Sequence, residues 1–343
     1  MANEADVKQR LRGSVTYDTG VLHFPDAPLS RARWSRQLME QELDEISHQL
    51  RCPSVMAFGN EIDRLTMTAR ATLERGMTAY VQPRLYDHSQ QEILDHMAES
   101  ARQAEQLRAD GGDVVFAAGC EHILFTPDII PGADFVQRLA TIGAIPPARW
   151  PGIFQRLNEF LVKAAAVARA NFNGPLTYGG AFFEPVDWSL FDIVGLDYYP
   201  YFETDAEYRV DLAQYRKWDK PIEILEFGCC TYPGAPQAGG SGYDIIDYEK
   251  QPPVVKPGFT RDERVQADQI IRLLGIFSAE GFKTAHVYTY INPGAPHAPV
   301  REHDRDIAAF SLVKVTPDDY ADPASRYLRE PKESFTALAR HNR

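Results

Sequence analysis

Eight short apolar runs alternate with helical stretches along almost the whole chain, and no low-complexity break interrupts the alternation. The runs are Val15–Asp18, Ser54–Asn60, Thr78–Tyr86, Asp113–Glu121, Leu176–Phe182, Asp192–Tyr199, Ile222–Phe227 and Thr284–Asn292. Between them apolar residues recur at helical spacing, as in Trp34, Leu38, Ile46 and Leu50, or Ile62, Leu65, Ala69 and Leu73, or Phe154, Leu157, Leu161, Ala164 and Ala168. Ser89 with Glu92, Thr204 with Glu207, and Thr260 with Glu263 have the spacing of capping boxes at helix starts. Only Phe183–Phe191 separates the fifth and sixth runs, so a helix there must be short or missing.

Eight strands alternating with helices predict an α/β fold of the (β/α)8 TIM-barrel type, with residues 1–343 forming a single domain. A doubly wound open sheet would need a phosphate loop or glycine fingerprint after the first strand. SVTYDTGVLHF contains neither. Two connections exceed simple turns: His122–Arg149 after the fourth strand and Gly228–Phe259 after the seventh. Both leave the C-terminal ends of strands, where barrel active sites lie, and loops of this length are usually lids or binding loops.

Composition narrows the partners. Of 343 residues, 36 are Lys or Arg and 48 are Asp or Glu, a formal charge of −12 with no basic run. This argues against nucleic acid and against an anionic membrane surface. The start MANEADVKQRLRG has no apolar signal region, and no run of 18 apolar residues occurs, so the expected compartment is the cytoplasm. Cys52, Cys120, Cys229 and Cys230 form no CxxC pair and are read as free thiols. His122, His286, His297 and His303 lack HxH, HxxxH and HExxH spacing. No metal and no cofactor is therefore expected.

A carboxylate at the end of a buried strand is costly unless paired or used. DVVFAAGCE delivers Glu121 after the fourth strand, and PIEILEFG delivers Glu226 after the seventh. Simple alternation places Val115, Ala117, Gly119 and Glu121 on one face, and Ile222, Ile224 and Glu226 on one face. Two carboxyl groups facing each other across a barrel mouth can split a glycosidic bond, one protonated as general acid and one ionised. Other strand-end candidates for contacting a ligand are Asp18, Asn60, Arg84 and Asp197. Arg84 can bind an anionic group or neutralise the glutamates. Asp87 and Glu61 stand where helices begin and suit capping.

These motifs carry a resemblance. ILEFG resembles the seventh-strand nucleophile motif of the clan A (β/α)8 glycoside hydrolases, which include cellulases, β-galactosidases and endo-galactanases. GCE is similar to that clan's acid/base position, and FDIVGLDYYPYF to its sixth-strand motif. The resemblance implies retaining hydrolysis of a glycoside with Glu226 as nucleophile and Glu121 as acid/base, and a hydrogen bond from Tyr198 or Tyr199 to the nucleophile. The sequence departs from the clan at two places: Cys120 stands where Asn usually binds the sugar, and HVYTYIN supplies Tyr288, Tyr290 and Asn292 where a Trp platform is usual. More narrowly, YDTG, QPRL, GCE, EFGCCTY and EPK resemble an actinobacterial family often labelled abortive infection proteins. The expected partner is a carbohydrate or other small molecule, and the oligomeric state is left open. Two other readings remain: a barrel of the same ancestry doing acid/base chemistry on a non-sugar small molecule, or a non-catalytic binding or phage-defence protein.

Overall fold

The computed structural model describes residues 10–23 and 27–343; the N-terminal stretch discussed above lies, up to Gln9, outside them. Eight parallel strands close into a barrel in sequential order: β1 (Ser14–Asp18), β2 (Ser54–Gly59), β3 (Thr78–Pro83), β4 (Val114–Cys120), β5 (Leu176–Ala181), β6 (Val194–Asp197), β7 (Ile222–Phe227) and β8 (Ala285–Val287), with β8 hydrogen-bonded back to β1. The eighth strand is shorter than its sequence run. The fold is a (β/α)8 TIM barrel.

Each strand divides its side chains between two cores. Outward residues such as Val15, Tyr17, Phe116, Leu176, Val194, Leu196, Ile222 and Ile224 pack under the helices in one large cluster. Met56, Tyr80, Val115, Ala117, Ile193 and Leu225 fill the barrel interior. Burying each large apolar side chain contributes about 1.5–3 kcal/mol, so the barrel centre is filled, not a pore. Below this layer sits a polar one: Tyr80 donates to Glu223 at 2.9 Å, and Ser54 joins Ser14 at 2.7 Å and His286 at 3.0 Å.

The helix signals hold with one correction. Ser89 and Thr204 form complete capping boxes. The helix Glu263–Ala279 instead starts from Asp262, which accepts from the Arg264 amide, while Glu263 accepts from the Glu333 amide and pairs with Lys314. Between β5 and β6 only a three-residue turn of 3-10 helix, Trp188–Leu190, intervenes. The connection after β7 folds into short turns and a small hairpin pairing Ile246–Asp247 with Val254–Val255. It is pinned by Gln266, whose buried amide donates to Cys229 O at 2.9 Å and Phe310 O at 3.0 Å. All four cysteines are free and buried. Among the described residues, no helix is long and apolar enough to cross a membrane.

Candidate active site

Alternation explains most of what reaches the C-terminal mouth. On β3 the inward set Tyr80, Gln82 continues to Arg84; on β6 Ile193 and Gly195 continue to Asp197; on β8 His286 continues to Tyr288. The two glutamate strands break the rule. Ala117 and Cys120 of β4 face Thr177 and Gly179 of β5, three residues against two. On β7 Ile224 and Glu226 face Leu196 and Asp197 of β6, again with one residue extra. Each strand therefore carries a one-residue bulge immediately before its glutamate. Bulges re-aim side chains next to functional sites. This corrects the expectation that Ile222, Ile224 and Glu226 share a face: the isoleucines pack outward, whereas Leu225 and Glu226 both project inward. On β4 Gly119 takes the strain with φ +78°, and Glu121 follows in the left-handed region at φ +43°.

Glu226 is buried and held from two sides. Arg84 forms an ion pair with Oε1, and the Tyr199 hydroxyl donates to Oε2 at 2.9 Å. The same guanidinium donates to Gln82 Oε1 from Nε at 2.8 Å and lies 3.8 Å over the Phe58 ring, which fixes its plane. The Glu121 environment is the opposite. Its carboxyl accepts no side-chain hydrogen bond among the described residues, and burial, the Glu226 charge and the Glu184 charge together push it up to about 8 against the opposing pull of Arg84. At neutral pH Glu121 is the protonated member of the pair.

The turn carrying Glu121 is held by residues that sequence reasoning did not single out. Glu184 accepts from the amides of Ile123 at 3.0 Å and Ala181 at 2.9 Å, and from Tyr178, whose hydroxyl in turn accepts from the His122 amide at 2.7 Å. Burial raises Glu184 to about 7. A lone acid in the apolar run FFEP was the available signal. Asp87 holds the other side of this loop through an ion pair with Arg138, which also donates to Leu124 O. Glu61 pairs with Arg64 at 2.6 Å and makes no side-chain cap.

The remaining candidates separate. Arg84, Cys120, Asp197 and Tyr199 gather near the two glutamates, and Tyr288 joins them, stacked on Phe58, whereas Asp18 holds its own turn by accepting from the Gly20 amide at 2.7 Å. Tyr198 points outward and donates to Asp211 at 2.8 Å, as alternation from Asp197 requires. Because β8 ends at Val287, Tyr290 has left the mouth: it donates to Glu45 at 2.5 Å and stacks on Tyr17. Asn292 folds onto its own turn, accepting from the Gly294 amide, and Asn60 ties two loops together by accepting from the Leu22 amide at 2.7 Å. His122, boxed against Tyr178 and Thr126, is lowered by burial to about 4. Among the described residues one donor set could hold a metal: Cys120 Sγ and carboxylate oxygens of Asp197 and Glu226 lie within 4.8 Å of one another.

Solved structures with the same architecture include glycosidases. Fpglu1 from Fervidobacterium pennivoraus superposes with a TM-score of 0.57 at 10% identity, over 97% of this chain and 95% of that one. The β-glucosidase of Pyrococcus furiosus gives 0.56 at 10%, with the same coverage. The fold is shared with glycosidase barrels. β-Glucuronidase 2 of Bacteroides uniformis matches at 0.53 and 12% identity over 90% of this chain, which spans about a third (33%) of that longer protein. At these identities the likeness is one of fold. No protein-family model and no curated protein matches the sequence.

Proposed function

We propose that this barrel is a retaining glycoside hydrolase in which Glu226 is the nucleophile and Glu121 the acid/base. The observation that carries the reading is the contrast between the two carboxyl groups. One is bonded as an anion by Arg84 and Tyr199, the other is held protonated at neutral pH. A retaining glycosidase needs this division.

In the first step Glu226 attacks the anomeric carbon while the Glu121 proton passes to the departing oxygen, leaving a glycosyl ester on Glu226. In the second, Glu121 as carboxylate takes a proton from water, whose oxygen attacks the same carbon and releases Glu226. Arg84 and Tyr199 stabilise Glu226 as the leaving carboxylate. The mouth is narrowed by Tyr199, Tyr288 and Phe310, with Tyr199 and Tyr288 both edge-on to Phe310. Tyr243 of the loop after β7 lies close enough to feel the Glu121 charge. An enclosed site of this kind favours a small glycoside or a terminal sugar over the interior of a polysaccharide.

A panel of nitrophenyl glycosides, followed by a fluoro-sugar inactivator and peptide mass mapping, tests the reading. Turnover with an adduct on Glu226 is the expected result. Turnover that survives Glu226→Gln overturns it. The departures at Cys120 and at the eighth strand, where Tyr288 stands in the segment that usually supplies a Trp platform, favour a second reading, acid/base chemistry on a non-sugar small molecule, for which no glycoside would turn over or label.

A further inference from the structure

Asp197 is unlike every other buried carboxylate here. Among the described residues Glu184, Glu223, Glu226, Asp304 and Asp306 all have hydrogen-bond or ion-pair partners, whereas both Asp197 oxygens have none, with the residue 1% exposed. Its place is built into the sheet. Gly179 stands between it and Cys120, and a Cβ at that glycine would lie 2.7 Å from Asp197 Oδ2 and 2.8 Å from Cys120 Cβ. The missing side chain leaves room for the carboxyl and the thiol to meet above β5. Both lie within 4.8 Å of a Glu226 oxygen.

We propose that Asp197 determines specificity by taking a basic amino group that the substrate carries on the carbon next to the one Glu226 attacks. The proposal rests on the glycosidase reading for the identity of that carbon. A reacting carbon waits about 3–3.5 Å from its nucleophile, so a substituent two bonds away comes within reach of Asp197. The two orphan oxygens call for a donor, and Arg84, already engaged by Glu226 and Gln82, does not supply one. An ammonium supplies both the charge and the N–H groups that two bare oxygens need. A metal is served less well: both Glu226 oxygens are occupied by Arg84 and Tyr199, which leaves one thiol and one carboxylate, fewer than the three or four protein ligands zinc takes. Burial, together with Glu226 and Glu121, pushes the Asp197 carboxyl well above the usual carboxylate range, so an entering ammonium favours release of its proton.

The test uses non-hydrolysable thioglycosides in gluco and galacto configuration, each as a pair with an amino or a hydroxyl group beside the anomeric carbon. Binding to the wild-type protein and to Asp197→Asn is measured by calorimetry near about pH 6.5, where the amine is protonated. The expected result is binding of an amino member at least about tenfold tighter than its hydroxyl partner, with proton release, and loss of that preference in Asp197→Asn. Equal binding of the pair by the wild type overturns the proposal even if the variant does not fold. So does a preference that survives in Asp197→Asn, the absence of binding by either member, or stoichiometric zinc binding that Cys120→Ser abolishes. Hydrolysis of the matching O-glycosides is followed separately. Amine-selective binding without hydrolysis keeps the role of Asp197 and removes the glycosidase reading; hydrolysis without amine preference does the reverse.

Discussion

The ends of β4 and β7 present the same residue through the same device, a glutamate after a one-residue bulge, and give it opposite chemistry. At β7 the carboxylate meets a guanidinium from β3 and a phenol from β6. At β4 the carboxyl meets no donor and is crowded by Glu184 and Glu226. The difference lies in what the neighbouring strands contribute, not in the residue. A closed barrel makes this possible because six other strand ends face the same small volume.

Substitutions that erase the contrast should therefore do more than remove a side chain. The largest expected effect is on turnover: Glu226→Gln should lower kcat by at least about 10³-fold, and Glu121→Gln by about 10²–10⁴-fold, less for activated nitrophenols that need no proton. Steady-state kinetics on any responsive glycoside checks both. Arg84→Met should come next, costing about 3–5 kcal/mol of stability because it leaves Glu226 buried without its cation. Urea titration would measure that loss.

The third expectation concerns pH. Catalysis needs the Glu121 proton, so kcat/KM should fall as pH rises through about 8. Stability follows the same proton. The native state binds it more tightly than the unfolded chain between the ordinary carboxyl range and about 8, so wild-type stability should drop with rising pH across that window. Glu121→Gln should remove the Glu121 share of this dependence and be more stable than wild type at pH near about 8, by up to a few kcal/mol, while being far less active. Denaturation curves at several pH values read this out. The smallest effect should come from Glu184→Gln, which removes one negative neighbour and moves the alkaline limb down by less than about one pH unit. An unmoved limb would mean that Glu226 and burial alone set the Glu121 proton affinity.

The fold was legible because parallel strands covered on both faces read as continuous apolar runs, and eight of them leave few architectures. The mouth was partly legible. Alternation from Ile193 already separates Asp197, inward, from Tyr198, outward, and would have chosen Tyr199 between two adjacent tyrosines. The bulges were not legible: Gly119 hints at one, but nothing in ILEF marks the extra residue before Glu226. The apolar run to Asn292 outlasts the strand it encodes: β8 leaves the sheet at Val287, so Tyr288 and not Tyr290 or Asn292 reaches the mouth. Glu184 and Tyr178 escaped notice because their partners, the amides following Glu121, become neighbours only when β5 pairs with β4.

The paired bulges also bear on how such a site can be gained or lost. Each glutamate is aimed by counting, one surplus link in a strand whose neighbour lacks it, so its direction is stored in segment length as much as in residue identity. Removing a single codon from either strand would swing the acid toward the helices with every functional side chain still encoded. Surveys that exchange residues one for another would never visit that change, whereas lineages that drift by insertion and deletion would cross between open and silenced sites in one step.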